Sequence, residues 1–388
     1  MEKLNIALLT DSFYPGTGGT ESAVFYIADA LTKKGHNVMV CAPKYWDVED
    51  NYSFEVNRSK RLKIIENNYL PLPSISRNFQ KRLEDFKPDI LHCHSTASML
   101  SYAIKFSKKH KIPLVATVHT KFKSSYYITT HSKLITRVFC KSFGRKLKKC
   151  DKVTAVSYSM RDEFDYYGYR GDFDVIKNGC TYKSVEINDE LKHIAQQKYN
   201  FTDSDNILLF VGHVSQIKNV DFIFDSLLKL DKINQNFKMI FVGSIDDKKF
   251  VKKVEKSSIA DKIIFTNQIA DKKLLSSLYA NAKIFLFPSI FDNDSLAVIE
   301  SAVHGVPSMV LKNTGASERL TDDINGFIIE NEQNMAEKID FLLKNVEFLQ
   351  KVGQNAKQTL PKDWIDVVPK YEELYLNVIT EYNKKIGA

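Results

Sequence analysis

Short apolar runs alternate with stretches in which apolar positions recur every three or four residues, and the scheme is played twice along the chain. The runs at 5–9, 37–42, 89–92, 114–118, 153–156 and 174–176 predict strands. Between the first two, Val24, Ile27, Ala28 and Leu31 predict an amphipathic helix that Gly35 terminates. A polar, irregular segment over 181–205 reads as an interdomain linker, after which strands are predicted at 207–211, 238–242, 263–265, 284–287, 307–311 and 326–329. Such alternation predicts an α/β protein with parallel sheets covered by helices on both faces. Two doubly wound units in tandem would bind ligands beyond the carboxyl ends of their strands. After Pro361 a last amphipathic helix carries Trp364, Val367, Val368, Tyr371 and Leu374.

Length agrees with this picture, since 388 residues exceed what a single core organises. No stretch approaches the roughly eighteen apolar residues of a membrane span, and the first strand follows Met1 too closely for a signal peptide, so a cytoplasmic location is expected. The five cysteines (Cys41, Cys93, Cys140, Cys150 and Cys180) lack metal or disulfide spacing and are expected as buried free thiols. Net charge changes the picture more. Residues 101–150 hold thirteen Lys or Arg and no Asp or Glu, more than the whole-chain surplus of +8. A one-sided field of this kind points to a polyanionic partner or an anionic membrane surface.

Candidate chemistry sits where strands should end. The segment TDSFYPGTGGTESAVF runs from a strand through a glycine-rich loop into a helix near Thr20, so Gly18 and Gly19 would let backbone amides approach an anion. A nicotinamide-binding loop competes, but Gly16-x-Gly18 would need a third glycine where Glu21 stands; a simple tight turn is the bland alternative. In FPSIFDNDSLAVIESAV a strand ends at Pro288, a loop carries Asp292, and a helix starting near Ser295 holds Glu300. Both carboxylates are expected to face one ligand. Carboxylates accept hydrogen bonds from sugar hydroxyls, and amides at a helix start meet phosphate. FVGHVSQIKNV sets Gly212, His213 and Lys218 after another strand; LVATVHTKF and PDILHCHS do the same for His119 and for His92, Cys93 and His94.

With seven residues between Asp292 and Glu300, the segment resembles the Glu, seven residues, Glu motif of the retaining glycosyltransferases of family 4, and the resemblance covers nearly the whole chain. It implies the GT-B fold: two Rossmann-like doubly wound parallel-sheet domains facing a cleft, residues 1–185 taking the acceptor and 200–363 the nucleotide sugar, with a C-terminal helix at 364–388 packing back on the first. The implied reaction is retaining transfer of a hexose from a nucleotide diphosphate sugar, a UDP-sugar by family frequency, with no metal and no cofactor beyond that co-substrate. Family roles then fall on His119, Asp292 and Lys218 as the catalytic set. Gly18, Gly19, Gly212, His213, Lys218, Asp292, Ser295, Leu296 and Glu300 would bind the donor, with Asp292 at its sugar, Glu300 at the ribose and the amides at Ser295 and Leu296 near the diphosphate. His94, Lys121 and Tyr126 fall on the acceptor side, and Gly315 and Glu318 contribute secondarily.

Two positions depart from the family: Asp292 is one methylene shorter than the usual Glu, and His213 stands where Arg normally offers a fork. They motivate an alternative, a weak or inactive homologue that stabilises an active glycosyltransferase. Asp292-Asn293-Asp294 also mimics the cation-binding Asp-x-Asp of another glycosyltransferase fold and reads here as coincidence. His92, Cys93 and His94 could suggest a metal site, but successive strand residues face opposite ways and no further ligand set is evident, which argues against one. No site for pyridoxal phosphate is seen. The stretch 132–150 predicts an amphipathic helix with Leu134, Ile135, Val138, Phe139 and Leu147 packed inside. Lys133, Arg137, Lys141, Arg145 and Lys148 would then meet anionic lipid or a diphosphate-linked acceptor at the inner face of a membrane. Charge without a recognition motif argues against nucleic acid. The expected acceptor is a cell-envelope polysaccharide, a lipid-linked oligosaccharide or a glycolipid.

Overall fold

The computed structural model describes residues 2–14, 18–45, 48–65, 68–180 and 185–387. Gly16 of the glycine loop and 181–184 of the expected linker lie outside them. The chain divides into two units, Met1–Thr181 with Asp363–Ala388, and Tyr182–Lys362.

The first unit opens with β1 (Asn5–Leu9), α1 (Gly19–Lys33), β2 (Asn37–Pro43), β3 (Glu55–Ser59), β4 (Arg61–Ile65), β5 (Asn68–Pro71) and α2 (Arg77–Phe86). It continues with β6 (Ile90–Cys93), α3 (Ser98–His110), β7 (Leu114–Val118), α4 (Phe122–Thr130), α5 (Lys133–Leu147), β8 (Lys152–Ala155), α6 (Met160–Tyr167) and β9 (Asp174–Val175). Its seven-stranded parallel sheet has the order β3-β2-β1-β6-β7-β8-β9. Strands such as β7 are buried along their whole length because helices cover both faces. Two features escape the hydrophobic pattern. The edge strand β3, with sequence EVNRS, is too polar to announce itself, and β4 with β5 forms a small antiparallel hairpin outside the main sheet.

The second unit begins with α7 (Asp189–Tyr199), β10 (Ile207–Val211), α8 (Val220–Leu230), β11 (Lys238–Val242), α9 (Lys248–Glu255) and β12 (Ile263–Phe265). α10 (Lys272–Asn281), β13 (Ala282–Phe287), α11 (Leu296–Val303), β14 (Ser308–Leu311), β15 (Phe327–Ile329), α12 (Glu332–Lys344) and α13 (Val346–Thr359) complete it. Its six parallel strands are ordered β12-β11-β10-β13-β14-β15 over a separate core. The segment expected to be irregular is not so throughout: α7 lies within it, capped by Asn188 and packed on α10 through the Ala195 amide and the Ser277 hydroxyl, 2.9 Å apart. The last helix, α14 (Trp364–Ile386), belongs to the first unit and lies along α1, where Trp364 stacks near Tyr26 and Glu372 meets buried His36 at 2.9 Å.

Strand order reverses between β1 and β6 in one unit and between β10 and β13 in the other. Adjacent loops leave in opposite directions there and open a crevice at the carboxyl ends. The loops that leave these four strands carry Gly18, His94, His213 with Lys218, and Asp292 respectively.

Helix α5 corrects the sequence reading of which side packs. Thr136, Cys140, Phe143, Gly144 and Leu147 are buried, whereas Leu134, Ile135, Val138 and Phe139 are 46–73% exposed. The helix carries two apolar faces, and the one with small residues wins because it permits closer approach. A Cβ on Gly144 would lie 2.1 Å from the carbonyl oxygen of Tyr167.

Candidate active site

In the second unit, β10 and β11 end in Gly212 and Gly243, whose backbones touch; a Cβ on Gly243, at φ +142°, would sit 1.9 Å from the Gly212 oxygen. The chain then turns through a short 3-10 segment over Gln216–Lys218 into α8. Asn219 takes a left-handed conformation there and donates from its side-chain amide to the Pro288 carbonyl at 3.1 Å, which ties this turn to the loop after β13. That tie aims Lys218: its ammonium donates to both oxygens of Asp292 at 2.7 Å, with each side chain about one-fifth exposed. Two of the three residues in the expected catalytic set are thus in direct contact. Asp292, although shorter than Glu, reaches the lysine fully.

His213 points elsewhere. Its ring Nδ1 lies 2.7 Å from the Ser244 hydroxyl and 3.2 Å from Asp246, and the side chain is mostly exposed. Ser295 caps α11 without a side-chain bond, and Leu296 begins the helix, leaving first-turn amides at the loop. Glu300, one turn further on, meets Tyr279 of α10, whereas Asp292 meets Lys218, so the two carboxylates have different protein neighbours. Its Oε2 is 3.4 Å from the Tyr279 hydroxyl in a small cavity of about 100 Å³ lined also by Lys272, Ser276 and His304. Burial pushes the Glu300 carboxyl up to about 7, against the smaller opposing pulls of Tyr279 and Lys272. His304 braces this wall, bonding the Glu300 carbonyl at 2.8 Å and the Ser276 hydroxyl at 2.6 Å while stacking on Tyr279.

The Asp-x-Asp resemblance ends at Asp294, which is buried and gripped by both sides of the Arg319 guanidinium, Nη2 to Oδ2 at 2.7 Å. Gly315 lets that strap close: a Cβ there would stand 2.1 Å from the Asn293 carbonyl oxygen. Glu318 lies in the adjoining 3-10 turn over Ala316–Arg319 and is half-buried.

In the first unit, Gly18 caps α1 and Gly19 begins it. Around the ends of β6 and β7 three histidines stand in series. His92 is fully buried and bonded on both ring nitrogens, to the Tyr375 hydroxyl of α14 at 2.7 Å and to Thr117 at 2.6 Å. Its ring lies 4.0 Å from that of His94, whose Nδ1 is 2.9 Å from Nε2 of half-buried His119. Burial holds His92 down at about 3 and His94 well below the ordinary histidine value, with neighbouring imidazoles adding to the effect, so both stay neutral. Lys121 caps α4, while Tyr126 on that helix approaches Thr96 at 3.4 Å and packs its ring on Phe122 and Phe139.

Sequence reasoning passed over Asp11, Lys146, Tyr279, His304 and Tyr375. Asp11 accepts from the amides of Ala97 and Met99, and Lys146 turns inward to the carbonyls of Thr96 and Ala97, so the two fix the loop after β6. Only Asp11 had a local signal, as an acid directly after the first strand. The others depend on contacts between distant segments.

Among the described residues, no helix is long and apolar enough to cross a membrane. The family model for Glycosyltransferase Family 4 matches residues 17–181, and that for Glycosyl transferases group 1 matches residues 192–359. The chain is 22% identical, over 99% of its length and 100% of the relative's, to an alpha-monoglucosyldiacylglycerol synthase of Acholeplasma laidlawii. It is 24% identical to the synthase of that name from Streptococcus pneumoniae, over 86% and 77%. Among solved structures, HepE of Anabaena in complex with UDP and glucose superposes with a TM-score of 0.76 at 16% identity, covering 96% of this chain and 99% of that one. Sucrose-phosphate synthase of Thermosynechococcus elongatus gives 0.80 at 16%, over 97% and 99%. The fold is GT-B. With a family 4 first domain and a group 1 second domain together spanning most of its length, the chain belongs to the family 4 glycosyltransferases.

Proposed function

We propose that this enzyme transfers a hexose with retention from a UDP-sugar to a glycolipid or another cell-envelope acceptor, without a metal ion or cofactor. The observation that carries the donor reading is the Lys218–Asp292 contact beside the α11 start, at the strand ends that flank the order reversal. Asp292 accepts from the Lys218 ammonium through both oxygens. An arriving diphosphate competes for Lys218 and frees Asp292 to accept hydrogen bonds from sugar hydroxyls. The acceptor hydroxyl then attacks the anomeric carbon on the face from which phosphate departs, and its proton passes to the leaving phosphate oxygen. Lys218 and the amides at Ser295 and Leu296 offset the charge that grows there, and His119 holds the sugar. Glu300 accepts from the ribose hydroxyls. His213 adds a donor to the diphosphate once it leaves Asp246. Asp294, gripped by Arg319, is committed to the fold, which supports the metal-independent reading.

UDP as the nucleotide is supported by the likeness to a structure holding UDP, and a diacylglycerol-type acceptor by the two synthase relatives. A lipid acceptor has to be met at a membrane surface, on this reading the inner, anionic one. The exposed apolar ridge of α5, set among Lys133, Arg137, Arg145 and Lys148 in a stretch without acids, has the composition of an interfacial helix. His94, Lys121 and Tyr126 lie on the acceptor side. The test of the donor site is calorimetry against UDP, UDP-glucose, UDP-N-acetylglucosamine and GDP-mannose, without and then with magnesium. Metal-independent binding of a UDP species, lost in Glu300→Ala, is expected. Binding of none of them, or binding that survives that substitution, would sink the assignment.

A further inference from the structure

The histidine series in the first unit contains an unbalanced hydrogen bond. His94 is 95% buried, its Nδ1 faces His119 Nε2 at 2.9 Å, and its own Nε2 is enclosed without a hydrogen-bond partner. A neutral imidazole carries one hydrogen, so only two arrangements satisfy the 2.9 Å contact. In one, His119 donates from Nε2 to Nδ1 of His94, whose own hydrogen then sits on Nε2 as a buried donor with nothing to meet. In the other, His94 donates from Nδ1, its enclosed Nε2 is a bare lone pair, and His119 accepts on Nε2 and keeps its hydrogen on Nδ1. Orphaned buried N–H groups are rarer in folded proteins than under-satisfied acceptors, which selects the second.

We propose that His94 is a positioning residue that locks His119 in the tautomer with hydrogen on Nδ1. The surroundings are built to hold it there. His92 has both ring nitrogens engaged by Tyr375 and Thr117, and Thr117 is itself 2.5 Å from Thr154, so the ring against which His94 packs cannot rotate freely. Asp11 and Lys146 fix the loop that follows His94. A free imidazole favours hydrogen on Nε2, so this arrangement reverses the default. His119 thereby presents a fixed N–H donor from Nδ1, suited to an oxygen that is gaining negative charge and unsuited to removing a proton from the acceptor. This consequence for transfer rests on the reading of His119 as a donor-sugar contact, whereas the tautomer does not.

The experiment is ¹⁵N NMR of the full chain labelled at histidine, first without nucleotide. In the unsubstituted protein His119 should show a protonated Nδ1 and a bare Nε2; hydrogen on Nε2 would overturn the proposal directly and needs no variant. In His94→Leu, His119 should revert to the Nε2–H form, with kcat reduced about tenfold and the donor KM changed less than about twofold. His94→Asn, whose amide nitrogen can donate from the Nδ1 position, should restore the tautomer and most of kcat. An unaltered His119 spectrum in His94→Leu, or no rescue by His94→Asn, would assign His94 to packing alone. UDP affinity measured on the same samples separates this from failure of the donor site, which Glu300→Ala reports.

Discussion

The two units distribute charge inversely. At the strand ends of the first, His92 and His94 are buried and neutral and the charges of Asp11 and Lys146 are engaged by backbone groups, while outside them α5 exposes Lys133, Arg137, Arg145 and Lys148 in a stretch with no acid. At the strand ends of the second, full charges meet: Lys218 with Asp292, and Arg319 with Asp294. Its surface is meanwhile balanced by local pairs such as Lys253 with Asp221 and Asp225, Lys338 with Asp323, and Lys344 with Asp340. Fixed charge inside suits a site that holds a diphosphate, and neutral donors and acceptors suit one that positions hydroxyls. An unbalanced surface, by contrast, is useful only against a partner of opposite sign.

The sharpest way to break the comparison is to unbalance the second unit's interior. Arg319→Ala leaves Asp294 buried without its cation, and removing one partner of such a pair costs about 3–5 kcal/mol. Urea unfolding followed by circular dichroism should show that loss, whereas Arg319→Met with Asp294→Leu should recover most of it. A single-variant cost below about 1 kcal/mol would mean that the ion pair does not hold the loop.

Glu300 offers a titration instead. Its pKa of about 7 lies above the ordinary value, so the folded chain holds a proton that the unfolded chain has released between pH 4.5 and 7. Stability from this group is therefore fully present below about 4.5 and declines as pH rises through 7; Glu300→Gln should abolish the decline. With Glu300 at the ribose, as proposed, the hydroxyls would donate to its ionised form, so UDP affinity should follow the opposite trend. It should weaken up to about tenfold per pH unit below 7 and level off above it. Calorimetry between pH 5.5 and 8.5 reads both limbs, and a flat profile would remove Glu300 from the nucleotide.

Much of this was legible in advance. The strands of both sheets announce themselves because runs such as ILLFV and LVATV are apolar on both faces, and Lys218 and Asp292 follow strand ends at spacings a family pattern marks. What stayed hidden has a common cause. Tyr375 reaches His92 across 283 positions, and Tyr279 reaches Glu300 from another helix, so no local pattern encodes either contact. Polar β3 fails the alternation test because its buried positions include Asn57 and Ser59, whose side chains hydrogen-bond backbone carbonyls of Phe79 and Lys60. Helix α5 misled for a different reason: Leu134, Ile135, Val138 and Phe139 form the stronger apolar stripe, yet Gly144 and Cys140 on the other face allow tighter packing.

That reversal supplies the prediction with the smallest expected effect on the fold. Leu134 and Val138 are the most exposed residues of the ridge, so Leu134→Ser and Val138→Ser should each change stability by less than about 0.5 kcal/mol. The same pair should abolish flotation with phosphatidylglycerol vesicles at physiological salt and leave UDP binding intact. Charge reversal at Lys133 and Arg137 should act differently, through the salt-dependent part of vesicle binding, at about 1 kcal/mol per charge near an anionic surface. A melting temperature lowered by several degrees in the serine variants would instead mean that the ridge is packed. Unchanged flotation would leave the cations of 101–150 facing a soluble polyanion. Loss of flotation with stability preserved would tie the unbalanced surface of the first unit to the bilayer in which a lipid acceptor resides.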